Sequence, residues 1–585
     1  MIIALLAQSF MVVLTPTKST PKLLLPIETP SPLTTPSPLA TPSPVAQVAE
    51  PPSTQPLPQP ELTPLPPPED LLTPPAADPL PPSTDEVPAE IVVERFVVEG
   101  NTAIGDDTLE AVLAPYTRRP LSFVELLQAR SAVTQYYVDA GYVTSGAVIL
   151  PQTLTEGTVT IQVIEGQLET ISVEMSGRLN EGYVRRRLRR AATPVLNTNE
   201  LLDALQLLQL DPLIESISAE LSAGVQPGSS LLNVVVVEAD TFDVTLQTDN
   251  GRSPSVGSFR RGATVSHGNL LGFGDRLSVG YANTDGSNTV DASYRFPLNA
   301  ADGTLLVNVG FTDSRVIEDP FNFLDIQSES RFYELTYRQP IIRTPEQEFA
   351  LSLTASRRES ESEFLENILG EALPFQTLGA DENGQTRISA LRFAQEWTQQ
   401  GANQVFAARS QFSLGLDAFD ATSSDAGPDS QFFAWRGQAQ WVRLLNEDLL
   451  FLVRGDLQLA TDSLVPLEQL GLGGPQTVRG YRQNTLLTDS GVLFSSEIRF
   501  PVLRVPEVDG LLQLIPFVDV GHGWNVALAN PEKPTLASLG LGALWQMGDR
   551  LDARLDIGIP LVNIGDEGNS LQESGIHFSL DYRLF

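Results

Sequence analysis

The sequence predicts a chain of mixed fold class: a proline-rich segment, two small α+β repeats, and a 16-stranded antiparallel transmembrane β-barrel. Three observations support this prediction. Residues 16–88 contain 24 of the 45 prolines. Residues 91–166 and 167–240 show the same order of strand-like and helix-like patterns. Residues 241–585 alternate apolar and polar side chains with a period of two and contain no convincing helical pattern.

The composition argues against several classes of function. The formal net charge is −35, whereas proteins that bind nucleic acid or anionic lipid need a basic surface. There is no cysteine, so neither a disulfide nor a thiolate site can form. The three histidines are scattered, and the H-E-x-x-H and G-x-S-x-G motifs are absent. We therefore expect no enzyme activity, no metal site, no cofactor and no nucleic-acid partner.

The N-terminal region is predicted to hold a signal-like apolar segment, residues 1–15, and a proline-rich linker, residues 16–90. The apolar segment is shorter than the roughly 18 residues that a spanning helix needs, and it resembles the core of a secretory signal. In the linker, Thr-Pro-Ser-Pro recurs at positions 29, 35 and 41. Dense proline removes backbone donors and favours extended polyproline II, so we expect a disordered, semi-rigid spacer without a core of its own. A proline-rich ligand for a partner is the alternative.

Residues 91–240 are predicted to form two copies of one small domain, 91–166 and 167–240. Each copy has the order strand, helix, helix, strand, strand, which indicates an internal duplication. Ser122 is a plausible N-cap for the longer helix of the first copy. The second copy contains a basic run, Arg185–Arg190, interpreted either as a solvated helix face or as a docking site for an acidic client or lipid.

Residues 241–585 contain sixteen strand-like runs, which begin between positions 242 and 574. This gives about 22 residues for each strand and its loop, and the even number allows an antiparallel barrel to close. In residues 404–417, Phe412 and Leu414 share one face, and Arg409 and Gln411 share the other. Such alternation suits lipid outside and a wet lumen inside. A soluble β-sandwich is the alternative, but a sandwich rarely reaches this length.

Three predicted even-numbered strands finish with an Arg-x-Pro pattern that contains Pro297, Pro340 or Pro501. Proline at a strand end breaks no ladder hydrogen bond, so the pattern predicts a shared turn at the membrane boundary.

The connection after strand 11, residues 461–489, is predicted to be loop six at the end of the barrel opposite the repeats. It contains Gly473-Gly474-Pro475-Gln476-Thr477-Val478-Arg479-Gly480-Tyr481, which combines a flexible glycine pair, one cation and an aromatic anchor. In strand 13 the apolar alternation places Asp519 on the lumenal face, where it could accept a bidentate guanidinium. From the residues alone, an unrelated loop arginine and a wet carboxylate remain an equal alternative.

Two sets of motifs carry a family resemblance over about residues 91–585. The segments Phe96–Thr102, Gly141–Thr144 and Val159–Gly166 resemble the POTRA domains of two-partner-secretion transporters. The barrel resembles the TpsB transporters of the FhaC/ShlB/HecB type, and the matching segments are Gly268–Asp275, Val478–Tyr481, Phe517–Gly521 and the closing strand that ends in Phe585.

The resemblance implies two POTRA domains in the periplasm and a barrel in the outer membrane, with loop six folded into the lumen. It pairs Arg479 of the Val478-Arg479-Gly480-Tyr481 motif with Asp519 of the strand that also carries Phe517 and Gly521. Phe585 would end the closing strand, although it is one residue out of phase with the apolar face of that strand.

The implied function is passive export of an unfolded exoprotein to the cell surface. The expected partners are this TpsA-like client, outer-membrane lipid and the outer-membrane assembly machinery, and a monomer is expected. A small domain with an accessible strand edge could bind the client by strand addition. An insertase of the same superfamily is the alternative, followed by a barrel enzyme or a porin.

Overall fold

The computed structural model describes Leu57, residues 71–73 and residues 91–585, except positions 193, 425–426, 447–448 and 566–567. The predicted signal-like segment 1–15 lies outside the described residues, as does the remainder of the linker 16–90.

The first repeat, residues 91–166, packs two helices against a three-stranded sheet. The longer helix begins at Phe123 because Ser122 and Glu125 form a reciprocal capping box, which satisfies two backbone donors. The Tyr137 hydroxyl is buried in the core and donates a hydrogen bond to Glu165 at 3.0 Å. The helices are Asp106–Leu113 and Phe123–Asp139, and the sheet order is Arg95–Glu99, Thr158–Ile164, Gly146–Val148, with Ile91–Val93 paired separately to Arg119–Leu121.

The second repeat, residues 167–240, has the same plan with longer strands. Its helices are Glu181–Ala191 and Thr198–Gln209, and its sheet order is Leu72–Thr73, Ile214–Ala223, Ser229–Glu238, Gln167–Ser176. The first of these strands comes from the proline-rich linker. Leu71 beside it is only 4% exposed and belongs to the core of the second repeat. The linker composition did not predict this contact, because dense proline indicates extended chain but not what the chain packs against.

Residues 242–583 form a closed antiparallel barrel, and sixteen strands of the described chain make its wall. The wall closes where strand 1 pairs with strand 16, from Thr245 opposite Arg583 to Asp249 opposite Ser579. This confirms the predicted fold class. The strands, numbered in this order, are Phe242–Asp249, Arg260–Gly268, Arg276–Asn283, Ser287–Pro297, Thr304–Arg315, Gln327–Arg343, Gln347–Phe364, Gln385–Gly401, Gln404–Leu416, Phe433–Leu444, Leu450–Ala460, Ser490–Val505, Gly510–Trp524, Thr535–Met547, Leu551–Pro560 and Ile576–Arg583.

The two faces of the wall differ in polarity as the alternation predicts. In strand 9, Phe412 and Leu414 are exposed on the outer face, whereas Ser413 is buried on the inner face. The outer face therefore suits hydrocarbon and the inner face carries the polar groups. Separately, the helices of the described residues include none that is both long and apolar enough to cross a membrane.

The three prolines of the Arg-x-Pro pattern occupy two kinds of position, a strand end and a bulge within a strand. Pro297 is the last residue of strand 4, as expected. The prediction was wrong for Pro340 and Pro501, which lie inside strands 6 and 12 and are each followed by a shift of register against the neighbouring strand. A bulge leaves one residue out of the ladder, so proline is tolerated there without ending the strand.

The second repeat is fastened to the barrel at the turn between strands 2 and 3, residues 269–275. The Asn180 amide donates to the Gly272 carbonyl at 2.9 Å. The Glu238 carboxylate accepts hydrogen bonds from the Asn269 side chain and from the backbone amides of Arg178 and Leu179. Burial opposes ionisation of Glu238, but these hydrogen bonds outweigh it and hold the pKa of the carboxyl below its ordinary value.

Part of the basic run makes a second fastening. The Arg187 guanidinium pairs with Asp302, in the turn between strands 4 and 5, at 2.6 Å. The same guanidinium lies 3.5 Å from the ring of Tyr183, whose hydroxyl donates to Asp211 at 2.6 Å. For Arg187, neither interpretation of the basic run was right, because this side chain binds the barrel.

We predict that this junction loosens in acid. A lowered folded-state pKa contributes stability above the ordinary carboxyl value of 4.5 and loses it as the pH falls through the folded value. Amide exchange at Arg178 and Leu179, corrected for intrinsic rate, should therefore accelerate in the native protein as pH drops below about 4.5. Glu238→Gln should show fast exchange at both ends of this range. Identical pH profiles for the two proteins would contradict the assignment.

Candidate functional site

Loop six folds back into the barrel and is buried along most of its length. It begins with a short 3-10 turn, Pro466–Glu468, and continues as a hairpin of Leu470–Leu472 with Leu486–Thr488. The motif Val478–Tyr481 lies at the hairpin tip. Apolar side chains of the loop form one buried cluster with residues of the wall; its members are Leu470, Leu472, Val478, Tyr481, Leu486, Leu493 and Leu536.

Arg479 and Asp519 form a bidentate ion pair inside the lumen. Arg479 Nε donates to Asp519 Oδ2 at 2.7 Å, and Nη2 donates to Oδ1 at 2.9 Å. The backbone amide of Arg479 donates to the same carboxylate at 3.1 Å. The arginine is 3% exposed and the aspartate 0%. Phe517, two residues before Asp519 on strand 13, places its ring 3.6 Å from the guanidinium carbon, which adds a cation–π contact.

Further lumenal charges surround this pair and balance it. Arg479 Nη1 donates to Glu497 of strand 12 at 2.9 Å, and Asp556 of strand 15 lies 3.7 Å away. Glu497 also accepts from Arg499 at 2.8 Å and from Arg554 at 2.9 Å. We call these five residues, together with Asp519, the Arg479 network. Its three cations and three anions are mutually paired, so each buried charge has a partner.

The other motif residues let the loop approach the wall closely. Gly480 has φ +94°, and a Cβ there would lie 3.0 Å from the carbonyl carbon of Gly558 in strand 15. A Cβ on Gly521 would lie 3.0 Å from Val478 Cγ2, so the FxDxG glycine leaves room for the loop valine. The Tyr481 hydroxyl is within hydrogen-bond distance of the carbonyls of Ala537, at 2.8 Å, and Val562, at 3.0 Å. It therefore anchors the tip to strand 14 and to the connection after strand 15.

The sequence reasoning missed several members of this site. No motif of the sequence identified Glu497, whereas the structure pairs it with three arginines. His577 of the closing strand accepts a hydrogen bond from the Gly480 amide at 3.2 Å. The signal for both was their lumenal phase in alternating strands. That phase indicates which face a side chain occupies but not its partner across the lumen.

Glu468, at the base of loop six, forms a second buried anchor that no motif predicted. Arg392 of strand 8 donates to both its oxygens, at 3.0 and 2.7 Å, and Arg358 of strand 7 donates at 2.8 Å. The glutamate is 4% exposed. Gln458 Nε2 donates to the Glu468 carbonyl at 3.1 Å and to the Asp489 carbonyl at the same distance, tying together the two ends of the loop.

A third anchor lies just after the tip. Arg482 pairs with Glu318 at 2.8 Å and with Glu573 at 3.1 Å. Glu318 belongs to the connection after strand 5 and Glu573 to the connection after strand 15. The loop is therefore held by ionic contacts at its base, at its tip and beyond it.

Phe585 lies beyond the end of strand 16 and outside the Arg479 network. Its side chain is 73% exposed, and its ring centroid is 6.1 Å from that of Phe242 at the start of strand 1. Its placement beside the seam between first and last strands fits a role in barrel closure, which stays a prediction.

The lumen beside loop six holds a cavity of about 1000 Å³ lined by polar and charged side chains. Leu57 of the proline-rich linker also lines this cavity. In the described residues, no group of three or more acidic, histidine or cysteine side chains is arranged to hold a metal ion.

Comparison with known proteins supports the architecture. The family model for the haemolysin secretion/activation protein ShlB/FhaC/HecB matches residues 228–544, and the model for the ShlB-type POTRA domain matches residues 91–166. The outer membrane transporter CdiB of Escherichia coli O6:K15:H31 is 24% identical over 440 residues, which cover 73% of this chain and 72% of the relative. The heme/hemopexin transporter protein HuxB of Haemophilus influenzae strain 86-028NP is 21% identical, covering 81% and 84%. The solved structure of CdiB from Escherichia coli superimposes with a TM-score of 0.67 at 20% identity, covering 87% of this chain and 93% of that one.

We predict that Arg479→Ala lowers the temperature at which the folded barrel loses its compact migration in gel electrophoresis. The substitution leaves Asp519 buried without its bidentate partner, which costs about 3–5 kcal/mol for a buried pair. Arg443→Ala, which removes an exposed arginine, is the matched control and should leave the transition unchanged. Equal transitions for the two variants would contradict a stabilising role for the pair.

We predict that Glu468→Gln loosens the base of loop six while preserving side-chain size. The substitution removes the negative charge that neutralises the buried Arg358 and Arg392, so the loop should become accessible to protease added from outside the cell. Glu507→Gln, at an exposed turn on the repeat side, is the control. A loop six that resists protease equally in both variants would show that Glu468 is not an anchor.

Proposed function

This chain belongs to the family of haemolysin secretion/activation proteins ShlB/FhaC/HecB, and we propose that it exports its exoprotein as an unfolded chain through the barrel lumen when loop six moves aside. Members of this family are outer-membrane transporters with POTRA domains in the periplasm, and they secrete exoproteins of the TpsA kind. The observation that carries the gating step is the set of ionic anchors on a loop that lies inside the lumen. Opening the path requires exchange of side-chain partners and leaves the ladder hydrogen bonds of the wall intact.

The Arg479 network is the latch in this proposal. Arg479 can leave Asp519 when the incoming chain or water supplies other partners, and the lumenal carboxylates remain partly neutralised by Arg499 and Arg554. Shape-specific contacts return the tip to one position. Val478 lies against Gly521, and Gly480 lies against Gly558. The Tyr481 hydroxyl donates to the Ala537 carbonyl. The latch therefore reseats after each passage.

The repeats would receive the exoprotein before it enters the barrel. A sheet edge binds extended chain through main-chain hydrogen bonds that tolerate varied sequence, which suits a long unfolded client. Folding of the client outside the cell would draw the reaction forward, and the chain needs no catalytic centre. Lipid on the outer face, the outer-membrane assembly machinery during insertion and a monomeric state complete the proposed partners.

Tethering loop six should block export. The native chain has no cysteine, and the side chain of Val478 lies against Gly521, so Val478→Cys with Gly521→Cys would link loop to wall when oxidised. We expect at least a tenfold fall in surface exoprotein under oxidising conditions, with recovery after reduction. Each single cysteine variant is the control for the strain that it introduces. Undiminished export by the tethered protein would refute gating by loop six.

Deleting residues 91–240 should abolish export while the barrel still inserts. The wall of the barrel is closed by its own strands, so its heat-dependent gel shift should persist without the repeats. Export is measured as exoprotein reaching the medium from cells that carry both genes. Continued export by the deletion variant would remove the docking role of the repeats.

A further inference from the structure

The linker strand Leu72–Thr73 occupies a sheet edge of the second repeat. It runs parallel to Ile214–Ala223, with Leu72 opposite Ala219 and Thr73 opposite Glu220. The preceding Leu71 is buried in the same cluster as Ile217 and Leu221 of that strand. One apolar side chain and a short main-chain pairing therefore hold this piece of linker.

The occupied edge is much longer than its occupant. Ile214–Ala223 spans ten residues, whereas the linker pairs with two of them. At one end, the Gln209 side chain accepts from the Ile217 amide at 3.1 Å and donates to the Glu215 carbonyl at 3.2 Å. A side-chain amide and a two-residue strand can both be replaced by a longer extended chain, which would form more ladder hydrogen bonds.

The first repeat differs at the corresponding edge. Its edge strand, Gly146–Val148, has three residues. Beyond it, the Gln152 side chain donates to the Thr160 carbonyl at 2.8 Å and accepts from the Thr160 amide at 2.7 Å. Gln152 thus extends the pairing along the central strand Thr158–Ile164, and the edge strand that the first repeat presents has three residues. The edge strand of the second repeat is longer than that of the first, and beside it lies the apolar position that Leu71 occupies.

We propose that Leu71–Thr73 is an internal occupant of the docking edge on the second repeat, and that an extended apolar segment of the exoprotein displaces it. The anchoring position selects an aliphatic residue, since Leu71 fills it now. Leu57 of the same linker lines the lumenal cavity, so described residues of the linker lie both at the docking edge and in the lumen. The identity of the displacing partner rests on the proposed function, whereas the occupancy does not.

A disulfide tests the displacement in the full-length protein. Leu72→Cys with Ala219→Cys places two cysteines at directly opposed strand positions, and no native thiol competes. We expect oxidation to cross-link this pair, and exoprotein export to fall at least tenfold until the bond is reduced. Leu72→Cys with Ala223→Cys, four residues further along the edge, is the matched control and should not cross-link. Failure of the first pair to cross-link, or normal export by the cross-linked protein, overturns the proposal.

A peptide tests the occupancy without the exoprotein. The probe is a fluorescent peptide of residues 66–78 of this chain, added to the purified full-length protein. Leu71→Asp with Leu72→Asp should vacate the edge and raise affinity for the peptide at least tenfold over the native chain, because the tethered competitor is removed. Leu378→Asp, at an exposed leucine of the barrel, is the control. Should the double variant fold poorly, the cross-linked protein provides the converse measurement, since it should bind less peptide than its reduced form.

Equal peptide binding by native, double-variant and cross-linked proteins overturns the occupancy. If the native protein exports no exoprotein, the proposed function fails, and the cross-linking and peptide measurements still decide whether the edge is occupied.

Discussion

The arrangement of the whole barrel depends on the need to pair every charge that loop six buries in the lumen. Arg479, Asp519 and Glu468 are nearly inaccessible to solvent, and each would be costly there if it lacked a partner. The pairs therefore specify one position of the loop, and they do so across the barrel: strands 7 and 8 bind its base, and strands 12, 13 and 15 bind its tip. The charged side chains of the wall hold the loop in place, and the charged side chains of the loop neutralise those of the wall.

Ionic anchoring suits a loop that must leave the lumen and return to it. A buried ion pair gives little net stability relative to well-packed apolar groups, because desolvation offsets much of its attraction. A buried ion pair does discriminate strongly among positions of the loop, because a charge that is displaced inside the lumen finds no other partner of opposite charge at the same geometry. An apolar plug of the same size would hold the lumen shut more firmly but would tolerate small shifts. The apolar cluster around Val478 and Leu486 is correspondingly small, and its members on the wall are Leu493 of strand 12 and Leu536 of strand 14.

The sequence predicts the wall of the barrel well, because the period of two reports directly on burial. It locates sixteen strands and the lumenal phase of Asp519. It does not predict partners across the lumen, since those depend on the register and tilt of strands far apart in the chain. Arg479 with Asp519 was expected because a family resemblance supplied the pairing. Glu468 with Arg358 and Arg392 had no such motif. Pro340 and Pro501 were misread because a bulge and a strand end permit the same residue.

Leu71 shows a different limit of sequence reasoning. The composition of the linker indicates extended chain, and an extended chain is the form that a sheet edge accepts. Nothing in that composition says which of two related edges is available. The answer lies in the edges themselves, because the edge strand of the first repeat has three residues, whereas that of the second repeat has ten. A segment too rich in proline to fold alone can therefore be positioned by three residues between prolines. Its short pairing is also what makes it replaceable by a longer chain.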